Sequence, residues 1–184
     1  MNIDINFENV YPLNAVSTDS NKSYFFTELV NGERLKIIVE IEQVKNPFVN
    51  DFLSLAFGPA GTDGEINDFA AVKHLDYSKA FSTVIFYALT FMKNNPGIYL
   101  GIDGSDFRRA YLYYRILQRN YDYLNDYFRI YGIKYYVRLL RGKDKNDSLN
   151  IDEQEVKSIP TSITKTPLTK HKSLFNCFLF SLSL

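Results

Sequence analysis

Apolar positions change period several times along the 184-residue chain, and each change marks an element. The stretch SYFFTELVNGERLKIIVEIEQV (23–44) alternates on both sides of Asn31-Gly32, a dipeptide that strongly favours a tight hairpin turn. A two-residue loop would set Glu28 opposite Leu35 and mix the two faces. A three-residue loop, Asn31 to Glu33 with Gly32 in the left-handed region, sets Leu29 against Leu35, Thr27 against Ile37, Phe25 against Val39 and Glu28 against Lys36. That register is expected because it makes one face apolar. NPFVN (46–50) reads as a turn, and DFLSLAFGPAG (51–61) as a third strand ending at Gly58-Pro59. NDFAAVKH (67–74) has the pattern of a short optional fourth strand.

The period then changes from two to 3.6. In SKAFSTVIFYALTFMKN (78–94), Phe81, Val84, Ile85, Ala88 and Met92 form one helical face, which Phe86 and Leu89 widen. Asp76 or Ser78 is placed to cap this helix, and NNPG stops it. GIYLGI (97–102) is a short buried strand. From Asp106 to about Ile130, Phe107, Ala110, Tyr111, Tyr114, Leu117, Tyr121, Leu124 and Phe128 follow the spacing of one helical face, with Gly132 as its stop. IKYYVRLL (133–140) alternates as a last strand.

The resulting order, βββ(β)-α-β-α-β, predicts an α+β fold, a mostly antiparallel sheet with two helices packed on one face. Boundaries follow composition: an N-terminal extension (1–22), one domain (23–141), and a flexible polar tail (142–184) rich in Lys, Asp, Ser, Thr and Pro. The tail closes on the apolar SLFNCFLFSLSL, an added edge strand, a docking peptide or an aggregation-prone end.

Charge sharpens this outline. The chain holds 21 basic and 21 acidic residues, but residues 1–105 carry a net −6 and residues 106–145 a net +6. Nine of the 14 tyrosines fall between Tyr111 and Tyr136, inside the basic block. The single cysteine, Cys177, excludes an internal disulfide and a cysteine-based zinc site, and fits a reducing compartment. No secretory leader and no apolar run of membrane length stand out, so a cytoplasmic setting is expected.

The motifs LSLAFGP, GEINDFAAV and GSDFRRAYLYYRI, ending at YGI, resemble a family of small uncharacterised bacterial domains common in Bacteroidetes, over roughly residues 23–141. Gly104, Ser105, Arg109 and Tyr113 fit the Gly-Ser-Thr-x-x-Arg-x-x-x-Tyr pattern of that family, with Asp106 in place of the Thr. The resemblance implies the fold and a bacterial cytoplasmic protein. It implies no activity.

The candidate chemistry gathers at the same place. Ser105 as N-cap and Asp106 in the first turn suit a helix start. Arg108 and Arg109 oppose the helix dipole there, so they serve either a nearby carboxylate, Asp103 or Asp106, or an anion held with Gly104 and Ser105. Arg108, Arg115 and Arg119 fall within about 40° on the helix. Asp122 is placed to pair with Arg119, and Tyr113 and Tyr123 to meet a partner or stack on bases. His74 with Asp76 reads as a turn and helix cap more than as part of a catalytic triad. Asp63, Glu65, Asp68, Asp76 and Asp103 match no calcium-loop spacing.

Two functions compete. One is a non-enzymatic domain that contacts a protein partner, or a second copy in a homodimer, through Tyr113, Arg115, Arg119 and Tyr123. The other is a binder of nucleic acid or a phosphorylated ligand through Gly104, Ser105, Arg108 and Arg109. No catalytic residue, cofactor, metal or membrane segment is expected.

Overall fold

Strand-forming residues and turn chemistry shape the first half of the chain. In the computed structural model, which describes residues 2–16, 21–43, 52–67, 70, 72–104, 106–140, 150–165, 175 and 177–183, they build a meander. β1 (Asn14–Ala15), β2 (Lys22–Glu28), β3 (Arg34–Gln43) and β4 (Leu53–Pro59) pair antiparallel in sequence order. The hairpin turns with Gly32 at φ +83°, as the Asn-Gly signal requires. Its register differs from the expected one by two residues: Thr27 faces Leu35 and Glu28 faces Arg34. The loop begins at Val30, closed by the Gly32 N–H donating to the Leu29 carbonyl. A shift of two keeps every side chain on its face. Alternation therefore fixes the face and leaves this choice to the turn.

α1 (Tyr77–Asn94) carries the chain back to β5 (Leu100–Asp103), which lies parallel to β4. Asp76 caps α1 by accepting from the Lys79 N–H at 2.8 Å, and Asn95 closes it. The expected strand at 67–74 is absent among its described residues, apart from one bridge between Leu29 and His74. The NPFVN turn lies outside the described residues.

The single long helix expected from 106 to 130 is instead α2 (Phe107–Arg119), a short α3 (Tyr121–Asn125), and the start of β6 (Phe128–Leu140). The helical spacing of Tyr121, Leu124 and Phe128 survives across the break, which hid it. From Phe128 the period is two: Phe128 and Ile130 enter the main core, while Tyr131 and Ile133 reach the opposite sheet face. Gly132 is a strand residue and stops no helix. A Cβ there would sit 2.4 Å from the Phe175 ring, so glycine makes room for that side chain.

The boundaries drawn from composition do not match the chain's packing. β7 (Asn150–Ser162) pairs with β6, and β8 (Cys177–Leu182) inserts between β5 and β6. The sheet order is β1-β2-β3-β4-β5-β8-β6-β7. The apolar terminal segment is thus an interior strand, with Phe178 and Phe180 in the core, and not an edge or a free end. The N-terminal stretch is likewise internal: Ile3 and Ile5 are buried among residues of α1, α2 and the sheet. The structure is α+β, with its helices on one face of the sheet. A smaller cluster on the other face joins Phe52, Ile133, Cys177 and Leu179. Gly101 admits Phe52 there, since a Cβ would lie 2.3 Å from its ring.

Candidate functional site

The β4-α1-β5 crossover brings the C-terminal ends of two parallel strands beside the starts of two helices. A cavity of about 180 Å³ opens at this end. Phe25 and Ile37 of β2 and β3 form its floor, with Phe57, Gly58 and Pro59 from the end of β4. Tyr77, Ala80, Phe81 and Val84 come from α1, and Arg109, Leu112 and Tyr113 from α2. The crossover segment closes one side with Asn67, Ala70, Val72 and His74. Phe57, Phe81 and Tyr113 form a corner of rings, with centroids 5.6 Å apart for Phe57–Phe81 and 6.3–6.4 Å apart for the two Tyr113 pairs.

His74 is fixed within this wall. Its Nδ1 shares a hydrogen bond with the buried Thr27 Oγ1 at 3.0 Å, and its ring meets Tyr77 edge-on at 5.1 Å. Burial pushes its pKa below the ordinary histidine value, so it is neutral near pH 7. Its sequence neighbour Asp76 is the α1 cap, as the turn-and-cap reading expected.

The helix start after β5 is capped by Asp106, not Ser105. Asp106 Oδ1 accepts from the backbone N–H of Arg108 at 2.7 Å and of Arg109 at 2.9 Å. The Arg109 N–H chiefly holds that carboxyl below its usual range. Two of the donors an anion would need are therefore taken. Gly104 serves packing, because a Cβ there would fall 2.4 Å from the backbone of Ala110. Ser105 lies outside the described residues. Of the three described residues expected to hold an anion, Arg109 reaches the cavity, while Arg108 is exposed.

Two of the four residues of the expected contact surface, Arg119 and Tyr123, serve the protein's own N-terminal stretch. Residues 3–11 lie across α1 and α2 as a strap whose backbone is held by side chains. The N–H groups of Asp4, Asn6 and Tyr11 donate to Ser78 Oγ, Ser82 Oγ and Thr83 Oγ1. The Ile5 N–H donates to Asn120 Oδ1 at 2.8 Å, and Asn120 Nδ2 donates back to the Ile3 carbonyl at 2.9 Å. Asn120 so imitates a neighbouring strand. Arg119 makes a two-pronged pair with Asp4, Nε to Oδ1 at 2.5 Å and Nη2 to Oδ2 at 3.2 Å. Tyr123 accepts from the Phe7 N–H at 2.9 Å, and its ring packs on those of Phe7 and Tyr127.

Arg115 lies with its guanidinium carbon 5.9 Å from the Tyr111 ring centroid. Tyr113 turns into the cavity. The expected Arg119–Asp122 pair does not form: Arg119 takes Asp4, and Asp122 takes Lys165. Asp68, one of the five carboxylates compared with a calcium loop, lies outside the described residues. Asp63 accepts from the Glu65 N–H, Glu65 pairs with Lys22, and Asp76 caps α1. Among the described residues no group of three His, Cys, Asp or Glu side chains comes together, and no helix is long and apolar enough to cross a membrane.

Periodicity does not reveal the cavity, because its wall is drawn from six separate segments. The signals that could have found it were Gly58-Pro59 at a strand end and the aromatic spacing Phe57, Phe81, Tyr113.

Residues 8–148 match a family of unknown function, DUF6934, and the chain belongs to that family. No curated protein and no solved structure matches the chain.

Proposed function

We propose that this protein is a non-catalytic binding domain whose site is the cavity between the sheet, α1 and α2. The observation that carries the reading is the cavity itself, apolar over its floor and edged by polar side chains. Ligand sites have this character: a concave apolar body with a few placed polar groups. A cavity of about 150 Å³ lined by Leu, Ile and Phe holds one benzene, so about 180 Å³ is room for a small organic molecule. The position supports the same reading by analogy with α/β sheets, where ligands settle beyond the carboxyl ends of parallel strands.

His74 supports binding over catalysis, since its Nδ1 is engaged with a buried threonine. The reading through the surface of α2 and α3 is weaker, because Arg119 and Tyr123 already serve the strap. The test is ligand-detected NMR on the full-length protein with toluene and phenylacetamide. Binding is expected in the wild type and should fall about tenfold or more in Leu112→Trp, which fills the cavity from α2. If neither compound binds a folded wild-type protein, the proposal fails.

A further inference from the structure

Given that the cavity is the binding site as proposed above, its size, rings and charge narrow the ligand to one class. The size allows a six-membered ring with a short substituent that reaches the cavity mouth. The ring corner of Phe57, Phe81 and Tyr113 suits a flat aromatic body, because tilted and edge-on contacts at 5.6–6.4 Å are the favoured aromatic geometry.

Charge decides the rest. Arg109 is the cation among the described lining residues, and no carboxylate is among them. It lies one turn before Tyr113 on α2, so a ligand against the Tyr113 ring is within reach of Arg109. A guanidinium has five N–H donors, so a contact made elsewhere leaves donors for a second acceptor. Its planar fork matches a carboxylate. An ammonium ligand, which aromatic rings alone would welcome, is opposed by that same cation. His74 brings no competing charge near pH 7, since burial lowers its pKa below the ordinary histidine value.

We infer that the cavity takes a small aromatic monocarboxylate, with its ring in the Phe57, Phe81 and Tyr113 corner and its carboxylate on Arg109.

Three probes of one shape class test this on the full-length protein: phenylacetate, its uncharged isostere phenylacetamide, and the cation phenethylamine. Calorimetry or NMR titration should show phenylacetate binding about tenfold or more tighter than phenylacetamide, with phenethylamine weakest. In Arg109→Met the first two should become equal within about twofold, through loss of phenylacetate affinity alone. Arg109→Lys, which keeps the charge and loses the fork, should recover part of the preference. Circular dichroism confirms that both variants fold. Equal binding of all three probes to the wild type overturns the inference and leaves the cavity as a neutral apolar site. A preference for phenylacetate that survives Arg109→Met also overturns it, placing the anion elsewhere. Absence of binding by every probe removes the cavity reading itself, and the inference with it.

Discussion

At the scale of single residues, several groups whose type suggests chemistry are explained by local demands. Gly104 is a close approach between β5 and the backbone of α2 at Ala110. Gly104→Ala should destabilise the protein by about 1–3 kcal/mol, because the obstructing atoms are backbone and cannot rotate away. Urea denaturation measures this, and an unchanged midpoint would return Gly104 to the list of ligand-contacting glycines. His74 sets a pH dependence. Its pKa in the folded protein is lowered by burial from the ordinary 6.5, so the unfolded chain binds the proton more readily. The stability linked to its neutral form is complete above about pH 6.5 and is lost as pH falls from there through the lower folded value. Urea midpoints taken between pH 7.5 and 5.5 should therefore drop on acidification, and His74→Asn should flatten that part of the curve.

At the scale of elements, the strap shows how a segment without regular structure can be as fixed as a strand. Asn120 presents both a donor and an acceptor to the strap backbone, and a second bond ties its Nδ2 to the Ile116 carbonyl. Asn120→Ala would leave buried backbone groups at Ile3 and Ile5 unpartnered, at a cost of about 2–4 kcal/mol. Limited proteolysis should then cut near residues 3–11 in the variant well before the wild type. Equal protection in the two proteins would show that Ile3 and Ile5 hold the strap by packing alone. The strap also marks the limit of what the sequence discloses. α1 was legible because its cap, its stop and its apolar face are all local: Asp76, Asn95 and the Val84 to Met92 series. β2 to β4 were legible from alternation. The strap was not, since its anchors are Ser78, Ser82, Thr83 and Asn120, more than seventy positions away and ordinary in their own helices. The helix break at Asn120 was hidden because Leu124 and Phe128 stay in helical phase across it. For the site, Arg109 and Tyr113 were visible, but a wall built from six segments has no one-dimensional signature.

At the scale of the whole molecule, the basic block and the acidic half meet inside one fold. Arg119 of the basic block pairs with Asp4 of the acidic half, while Lys165 with Asp122 ties a later segment to α3. At the Arg119–Asp4 pair the charge partition is internal complementarity. The sheet depends on its last strand in the same way. β8 supplies the hydrogen-bonded neighbour of both β5 and β6, and it buries Phe178 and Phe180 in the main core and Cys177 and Leu179 on the other face. Burial and the adjacent Asp103 push the Cys177 thiol up to about 12. It should therefore resist iodoacetamide in the native protein and react only on unfolding. A chain ending at residue 174 should fail to give a cooperative unfolding transition, since two interior strands lose their pairing at once. A sharp transition in that truncated chain would show that β5 and β6 can close the sheet without β8.

The central place of β8 has a consequence in time as well as in space. A ribosome makes this strand after all seven others in the described fold, at about 5–20 residues per second. Until it emerges, the meander and the β6–β7 hairpin can form, but they remain two half-sheets with raw facing edges. Nascent chains are thus exposed to mispairing for the seconds before completion. Slow refolding from denaturant and a need for chaperones at high expression are the traits of such a late keystone.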